Sequence, residues 1–137
     1  MALHIRKALF GCGAILFAAL FLVCWARFET TWLAVRTLRL SDTPVCRLVF
    51  IADLHYKGDI AYLHKVVDRS NNLKPDFVCF GGDIVEDRRY LAEALALLST
   101  IEAPLYGVPG NHDHDDPDVT GISRAFQETN GKWLKNK

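Results

Sequence analysis

Three short apolar segments, each ending in a cluster of glycine and polar residues, constrain the fold of this chain more than any other feature. The segments are Leu48–Ile51, Phe77–Phe80 and 104–108, and they run into the sequences ADLH, GGD and PGNHD. Between them, apolar residues recur at helical spacing over 60–73 and again over 89–101. This alternation of strands and helices predicts parallel βαβ units in an α/β fold. The unbroken apolar runs predict strands that are buried on both faces.

The polar clusters come directly after the predicted strands. The carboxyl ends of parallel strands meet at one edge of the sheet, and ligands bind at that edge in open α/β sheets. We therefore expect Asp53, His55, Asp83 and Asn111 to converge there. Carboxylate, imidazole and amide groups without a thiolate suit Mn²⁺, Fe or Zn²⁺. The sequence thus predicts a metal site, with the neighbouring glycines at turns where the backbone passes close to a ligand.

Each of these motifs, taken singly, also has an ordinary structural interpretation. An Asp-x-His triplet arises by chance, Gly-Asp is common in turns, and Asn-His-Asp is compatible with a simple Asx turn. Their shared order and their placement at strand ends favour the metal hypothesis. The charged residues 86–89 are expected only to cap and solvate the start of the second helix.

The ordered motifs D-x-H, G-D and G-N-H-D resemble the signature of the calcineurin-like metallophosphoesterases. They occur here in the stretches VFIADLHY, FGGDIVED and LYGVPGNHD. The similarity is greatest to the membrane-associated bacterial branch of YaeI- and YkuE-like phosphodiesterases, and it covers roughly residues 48–113. The resemblance implies the amino-terminal half of a metallophosphoesterase α/β sandwich. It also implies hydrolysis of phosphodiesters or phosphomonoesters by a water that two metal ions activate.

The resemblance also implies which residues bind the two divalent ions, which would be Mn, Fe or Zn. Asp53 and His55 would bind the first ion, Asp83 would bridge both ions, and Asn111 would bind the second. A phosphoester is anionic, so two cations are needed to neutralise it and to align the attacking and leaving oxygens. The expected ligands therefore come from all three motifs.

The same resemblance assigns catalytic roles to His112 and Asp113. His112 would protonate the leaving oxygen, and Asp113 would orient the histidine ring. The family's later motifs, a lone His and G-H-x-H, have no counterpart, because no histidine follows His114. We therefore expect at most one weakly bound ion, and we interpret the chain as the amino-terminal portion of a phosphoesterase. Two alternatives stay open: completion by a partner chain, or an inactive membrane-anchored remnant.

A run of 19 residues without a charge, 8–26, lies near the amino terminus. A helix of this length, rising about 1.5 Å per residue, nearly crosses a hydrocarbon core of roughly 30 Å. The run predicts a single-pass protein of the cell membrane whose orientation stays open, with a cleaved signal peptide as the alternative. The predicted organisation is an anchor over 1–27, a linker with an edge strand over 28–46, and a phosphoesterase domain over 47–137.

The charge balance limits the class of partner. The chain carries 16 basic and 16 acidic residues, and the basic residues do not cluster into a basic patch in the sequence. A nucleic-acid partner is therefore not expected, because such proteins present a basic face. The expected partners are a phosphorylated small molecule or a lipid-linked substrate, together with the membrane. The sequence predicts no particular protein partner.

Overall fold

The computed structural model describes residues 2–111, 113 and 119–135. The chain forms two compact units, Met1–Arg36 and Thr37–Lys137. The first unit is dominated by one long helix, α1 (Ala2–Thr31). Aromatic rings contact one another in series along the carboxyl-terminal half of this helix and just beyond it: Phe21, Trp25, Phe28 and Trp32.

The prediction of a membrane-spanning helix over 8–26 is wrong. Crossing a bilayer requires about 20 consecutive, predominantly apolar residues. None of the helices in the described part of the chain is long and apolar enough to meet this requirement. The predicted location, a single-pass protein of the cell membrane, is therefore contradicted, and the expectation of the membrane as a partner gains no support.

The predicted edge strand is also absent, since no strand forms between residues 32 and 47. An alternating pattern stabilises a strand only when its apolar side packs against a partner, yet Leu38 and Leu40 are 84% and 93% exposed. The Arg39 side chain instead donates hydrogen bonds to the carbonyls of Ser41 and Asp42, at 3.1 and 2.9 Å. These local bonds fold the segment into a turn ahead of the first strand.

The second unit is built on a four-stranded parallel sheet. Its strands are β1 (Leu48–Ile51), β2 (Phe77–Phe80), β3 (Leu105–Gly107) and β4 (Lys132–Trp133), and they lie in the same order in the sheet as in the chain. The α/β architecture and the parallel pairing predicted from sequence are confirmed. All four strands present their carboxyl ends at one edge.

Three helices connect the strands. They are α2 (Ile60–Asn72), α3 (Leu91–Leu98), which follows one 3-10 turn at Arg88–Tyr90, and α4 (Val119–Glu128). The carboxylate of Asp59 caps α2 by accepting a 3.0 Å hydrogen bond from a backbone N–H of its first turn. The two helices expected from apolar spacing are therefore present, within a few residues of their predicted bounds.

The hydrophobic core lies on one face of the sheet. Side chains from α2, α3 and α4 and the inward residues of the strands form one cluster in the described part of the chain. At its centre the Phe126 ring contacts Phe80 and Trp133, with ring centroids 6.0 and 4.9 Å apart. Burying one such aromatic side chain stabilises the fold by roughly 1.5–3 kcal/mol.

The opposite face of the sheet is open. Leu48 and Phe50 are 51% and 66% exposed, and Phe77 on β2 contacts the half-exposed Tyr106 on β3 at 6.2 Å between ring centroids. The prediction that the strands are buried on both faces is wrong. The helices contribute to a single core cluster, so only alternate strand residues are covered.

Candidate metal site

The loops that follow β1 and β2 continue side by side past the carboxyl edge of the sheet. The backbone N–H of His55 donates to the carbonyl of Asp83 at 2.9 Å, and that of Tyr56 donates to Ile84 at 3.0 Å. The N–H of Glu86 donates back to the Tyr56 carbonyl at 3.1 Å. These bonds extend the parallel pairing and fix the first two polar motifs against each other.

This pairing brings Asp53, His55 and Asp83 together. One potential ligand atom from each side chain lies within 4.8 Å of the other two. Within this group, His55 Nε2 lies 3.8 Å from Asp83 Oδ2. Ligands that bind one ion at about 2.1 Å lie at most about 4.2 Å apart, so small side-chain adjustments suffice for coordination. Two carboxylates and an imidazole fit a divalent ion such as Mn²⁺, Fe²⁺ or Zn²⁺.

The backbone of these three residues is strained. Asp53, His55 and Asp83 have φ angles of 52°, 41° and 56°, in the left-handed region that residues other than glycine seldom adopt. Such conformations cost on the order of 1–3 kcal/mol each and cluster at functional sites. Between two of them, Leu54 packs against the core.

Asp113 joins the loops after β2 and β3. Its carboxylate accepts backbone N–H bonds from Asp83 at 2.5 Å, from Gly110 at 3.0 Å and from Ile84 at 3.1 Å. The side chain is buried, with 5% of its surface exposed. It therefore holds the turn that carries Asp83. The orientation of His112 by Asp113 stays a prediction, because His112 lies outside the described residues.

The glycines of the second and third motifs allow the two loops to touch. Gly82 has a φ of 90°, and a Cβ added there would overlap the backbone nitrogen of Gly110. A Cβ at Gly110 would overlap the carboxylate of Asp83. The close approach in the structure is thus between the two loops. The approach of these glycines to a ligand stays a prediction. Asn111 follows Gly110 and is exposed, and its role as a ligand stays a prediction.

One acidic side chain of the site was not anticipated. The sequence predicts that residues 86–89 cap and solvate the start of the second helix; Asp87 caps the 3-10 turn that precedes α3, accepting from the Arg89 N–H at 3.0 Å. Glu86 instead places Oε2 2.8 Å from His55 Nδ1. The only signal in the sequence is its position three residues after Asp83, and that becomes informative once the pairing of the two loops is known.

Tyr56 ties the loop after β1 to helix α3. Its buried hydroxyl donates a hydrogen bond to the Glu93 carboxylate, and its ring meets the edge of Tyr90 at 5.8 Å between centroids. Burial, reinforced by the bond to Glu93, raises the pKa of Tyr56 to about 12. The hydroxyl therefore stays protonated at neutral pH and anchors the residue next to His55.

Comparison with known proteins agrees with this geometry. A family model described as calcineurin-like phosphoesterase matches residues 46–137. A protein of Arcobacter nitrofigilis named "Probable glycerophosphodiester phosphodiesterase GpdQ" is 34% identical over 98 residues, with 59% of this chain and 33% of the relative covered. The chain thus spans about a third of the length of the curated relative it matches.

The narrower resemblance, to the YaeI- and YkuE-like branch, stays a prediction. The broader assignment has direct support, because the matched region contains the whole parallel sheet and the three side chains that converge at its carboxyl edge. Members of this family are hydrolases that act on phosphoric esters. The chain belongs to the calcineurin-like phosphoesterase family.

Proposed function

We propose that this chain supplies metal-binding and substrate-facing residues for the metal-dependent hydrolysis of a phosphodiester. The single observation that carries the proposal is the convergence of Asp53, His55 and Asp83 at the carboxyl edge of the sheet. The name of the similar Arcobacter protein supports a phosphodiester as the substrate class. Further features of the substrate, including a lipid link, have no support in the described residues.

Each proposed ligand has its own environment. Asp83 is buried, and its backbone N–H donates to the Asp113 carboxylate. Asp53 is exposed, and His55 is intermediate in exposure. Together these three residues would hold one divalent ion. Asn111, on the adjoining loop, would contribute to a second ion together with Asp83. Bound divalent ions neutralise the anionic ester and lower the pKa of a water that attacks it.

The arrangement of the charges favours an anionic substrate only when metal is bound. Asp53 and Asp83 bring two carboxylates within 4.8 Å of each other, and these would repel a phosphodiester. The positive charge of a bound ion reverses the sign of the interaction. His112, from its place in the third motif, would then donate a proton to the leaving oxygen.

Calorimetric titration of the 137-residue chain with Mn²⁺ tests this proposal. We expect one weak site, and we expect it to be lost in Asp83→Ala, because that change removes the ligand shared by both ions. Asp68→Ala is the matched control, since Asp68 is an exposed acid on α2. Failure of the unmodified chain to bind Mn²⁺ or Zn²⁺ would overturn the proposal, and two tight sites would contradict the expected ligand count.

Hydrolysis of bis(4-nitrophenyl) phosphate in the presence of Mn²⁺ then separates binding from catalysis. Turnover that disappears in Asp83→Ala would support the enzyme. Metal binding without turnover would support the alternative, a metal-binding chain that has no activity by itself.

A further inference from the structure

We propose that Glu86 is a positioning residue for His55: it holds the imidazole proton on Nδ1 and thereby leaves the Nε2 lone pair for a divalent ion. This inference rests on the proposed metal site and adds a residue to it. It assigns a role to an acid that the motif pattern did not single out. Glu86 itself would not contact the substrate.

The two ring nitrogens of His55 face two different carboxylates at two different distances. Nδ1 is buried, and Glu86 Oε2 lies 2.8 Å from it, which is hydrogen-bonding distance, although the ring N–H does not point at the carboxylate in this structure. Nε2 lies 3.8 Å from Asp83 Oδ2, which is within the maximum of about 4.2 Å for two ligands that bind one ion at about 2.1 Å. The distance on the Glu86 side thus permits a hydrogen bond once the ring or the carboxylate turns, and the distance on the Asp83 side permits a shared cation.

The chemistry of imidazole makes these two contacts interdependent. A neutral histidine has one N–H and one lone pair, and an ionised carboxylate can only accept. A proton on Nδ1 satisfies the close contact with Glu86 and places the lone pair on Nε2. Metal-binding histidines commonly donate their other N–H to a carboxylate, which fixes the tautomer and the orientation of the ring.

The backbone explains why Glu86 reaches this position. Val85 and Tyr56 form an isolated parallel bridge, and the Glu86 N–H donates to the Tyr56 carbonyl at 3.1 Å. Tyr56 is in turn anchored to α3 through Glu93. The main chain of Glu86 is therefore fixed beside His55, so only the rotamer freedom of its side chain is lost when the carboxylate contacts the ring.

The neighbouring acid provides a matched control. Asp87 carries the same charge one residue further along the chain, but its carboxylate caps the 3-10 turn and pairs with Arg89 Nε at 2.9 Å. Asp87→Asn removes one negative charge from this segment without removing the contact with His55. Comparing Asp87→Asn with Glu86→Ala therefore separates the long-range effect of losing one negative charge from the loss of the contact with His55.

The first test reads the His55 tautomer without any metal. Long-range ¹H–¹⁵N spectra of the full chain, at a pH where histidines are neutral, report which ring nitrogen carries the proton, and His55→Gln identifies the signal. We expect Nδ1–H in the unmodified chain and in Glu86→Gln, whose amide oxygen still accepts. We expect Nε2–H to dominate in Glu86→Ala, as at the exposed His64.

The second test measures Mn²⁺ affinity in the same variants. Loss of such a carboxylate partner typically weakens metal binding 10- to 100-fold, so we expect about 10-fold for Glu86→Ala. Asp87→Asn should stay within about 2-fold of the unmodified chain, as the loss of a screened surface charge predicts.

The outcomes distinguish the two proposals. An Nε2–H tautomer in the unmodified chain, or a tautomer that does not change in Glu86→Ala, would overturn the role of Glu86 while leaving the metal site intact. Absence of metal binding combined with the expected change of tautomer would overturn the proposed function while supporting the contact. Equal losses of affinity in Glu86→Ala and Asp87→Asn would show that charge alone is responsible, and would overturn the positioning role.

Discussion

Asp83 and Asp113 are two acids that lie side by side, and each is only 5% exposed, yet their carboxylates have different surroundings. Asp113 turns inward and accepts three backbone N–H bonds. The Asp83 side chain lies near those of Asp53 and His55, with one potential ligand atom of each within 4.8 Å of the others. Asp113 therefore stabilises the loops, and the loops place Asp83 beside the other candidate ligands.

The comparison shows that burial by itself does not identify a ligand. A buried carboxylate requires compensation, either from hydrogen-bond donors or from a cation. The backbone supplies that compensation for Asp113, and the surroundings of Asp83 include a second carboxylate and a histidine that could share a cation with it. The difference predicts that changes at Asp113 act mainly on stability, and that changes at Asp83 act mainly on metal binding.

The largest expected effect is that of Asp113→Ala on stability. The change leaves two buried backbone N–H groups and one part-buried one without their acceptor, and each buried group costs about 1–3 kcal/mol. We expect the free energy of unfolding to fall by about 3 kcal/mol, measured by urea denaturation followed by tryptophan fluorescence. Asp83→Ala, the control of equal burial, should change it by less than about 1 kcal/mol. Equal losses in the two variants would remove the distinction between the two acids.

Gly110→Ala should affect both properties together, because the added Cβ would overlap the Asp83 carboxylate and its backbone nitrogen. Forcing a methyl group into so close a contact costs roughly 1–3 kcal/mol. We expect a loss of about 2 kcal/mol in urea denaturation and weaker Mn²⁺ binding in calorimetry. A variant with unchanged stability and affinity would show that the two loops are not tightly packed at this point.

The smallest effect is expected for Asp53→Asn. This variant compares an exposed candidate ligand with the buried ligand Asp83. Asp53 is exposed, and an asparagine oxygen can still coordinate a metal, so we expect Mn²⁺ affinity to fall by about 10-fold or less. Asp83→Asn should reduce affinity further, because Asp83 is buried and is the ligand proposed to be shared. Titration of both variants under identical conditions measures the ranking, and the reverse order would contradict the proposed roles.

Several elements could be predicted from local sequence. The apolar runs at β1 and β2 and the helical spacing of α2 identify these elements within a residue or so. The parallel order then follows from the alternation of strands and helices. Asp53, His55 and Asp83 could be grouped in advance, because parallel strands bring their carboxyl ends to the same edge.

Other features depended on contacts between distant segments. The strand predicted around Leu38 fails because nothing covers its apolar side chains, and Phe50 is exposed because the helices pack on the other face. The sequence predicts only a capping role for Glu86. The pairing of its loop with Tyr56 brings its side chain to His55. A pattern along the chain does not contain these pairings.

The sequence by itself therefore determined the strands, the helices and the set of candidate ligands, since hydrophobic periodicity and side-chain chemistry are local properties. The tertiary structure decided which face of the sheet is covered, and it decided how each acid is used. Asp113 and Asp83 are chemically identical residues, and their difference arises from the direction in which each side chain points within the packed loops. That direction is set by strained backbone and by contacts between segments about 30 residues apart, which carry no local signal.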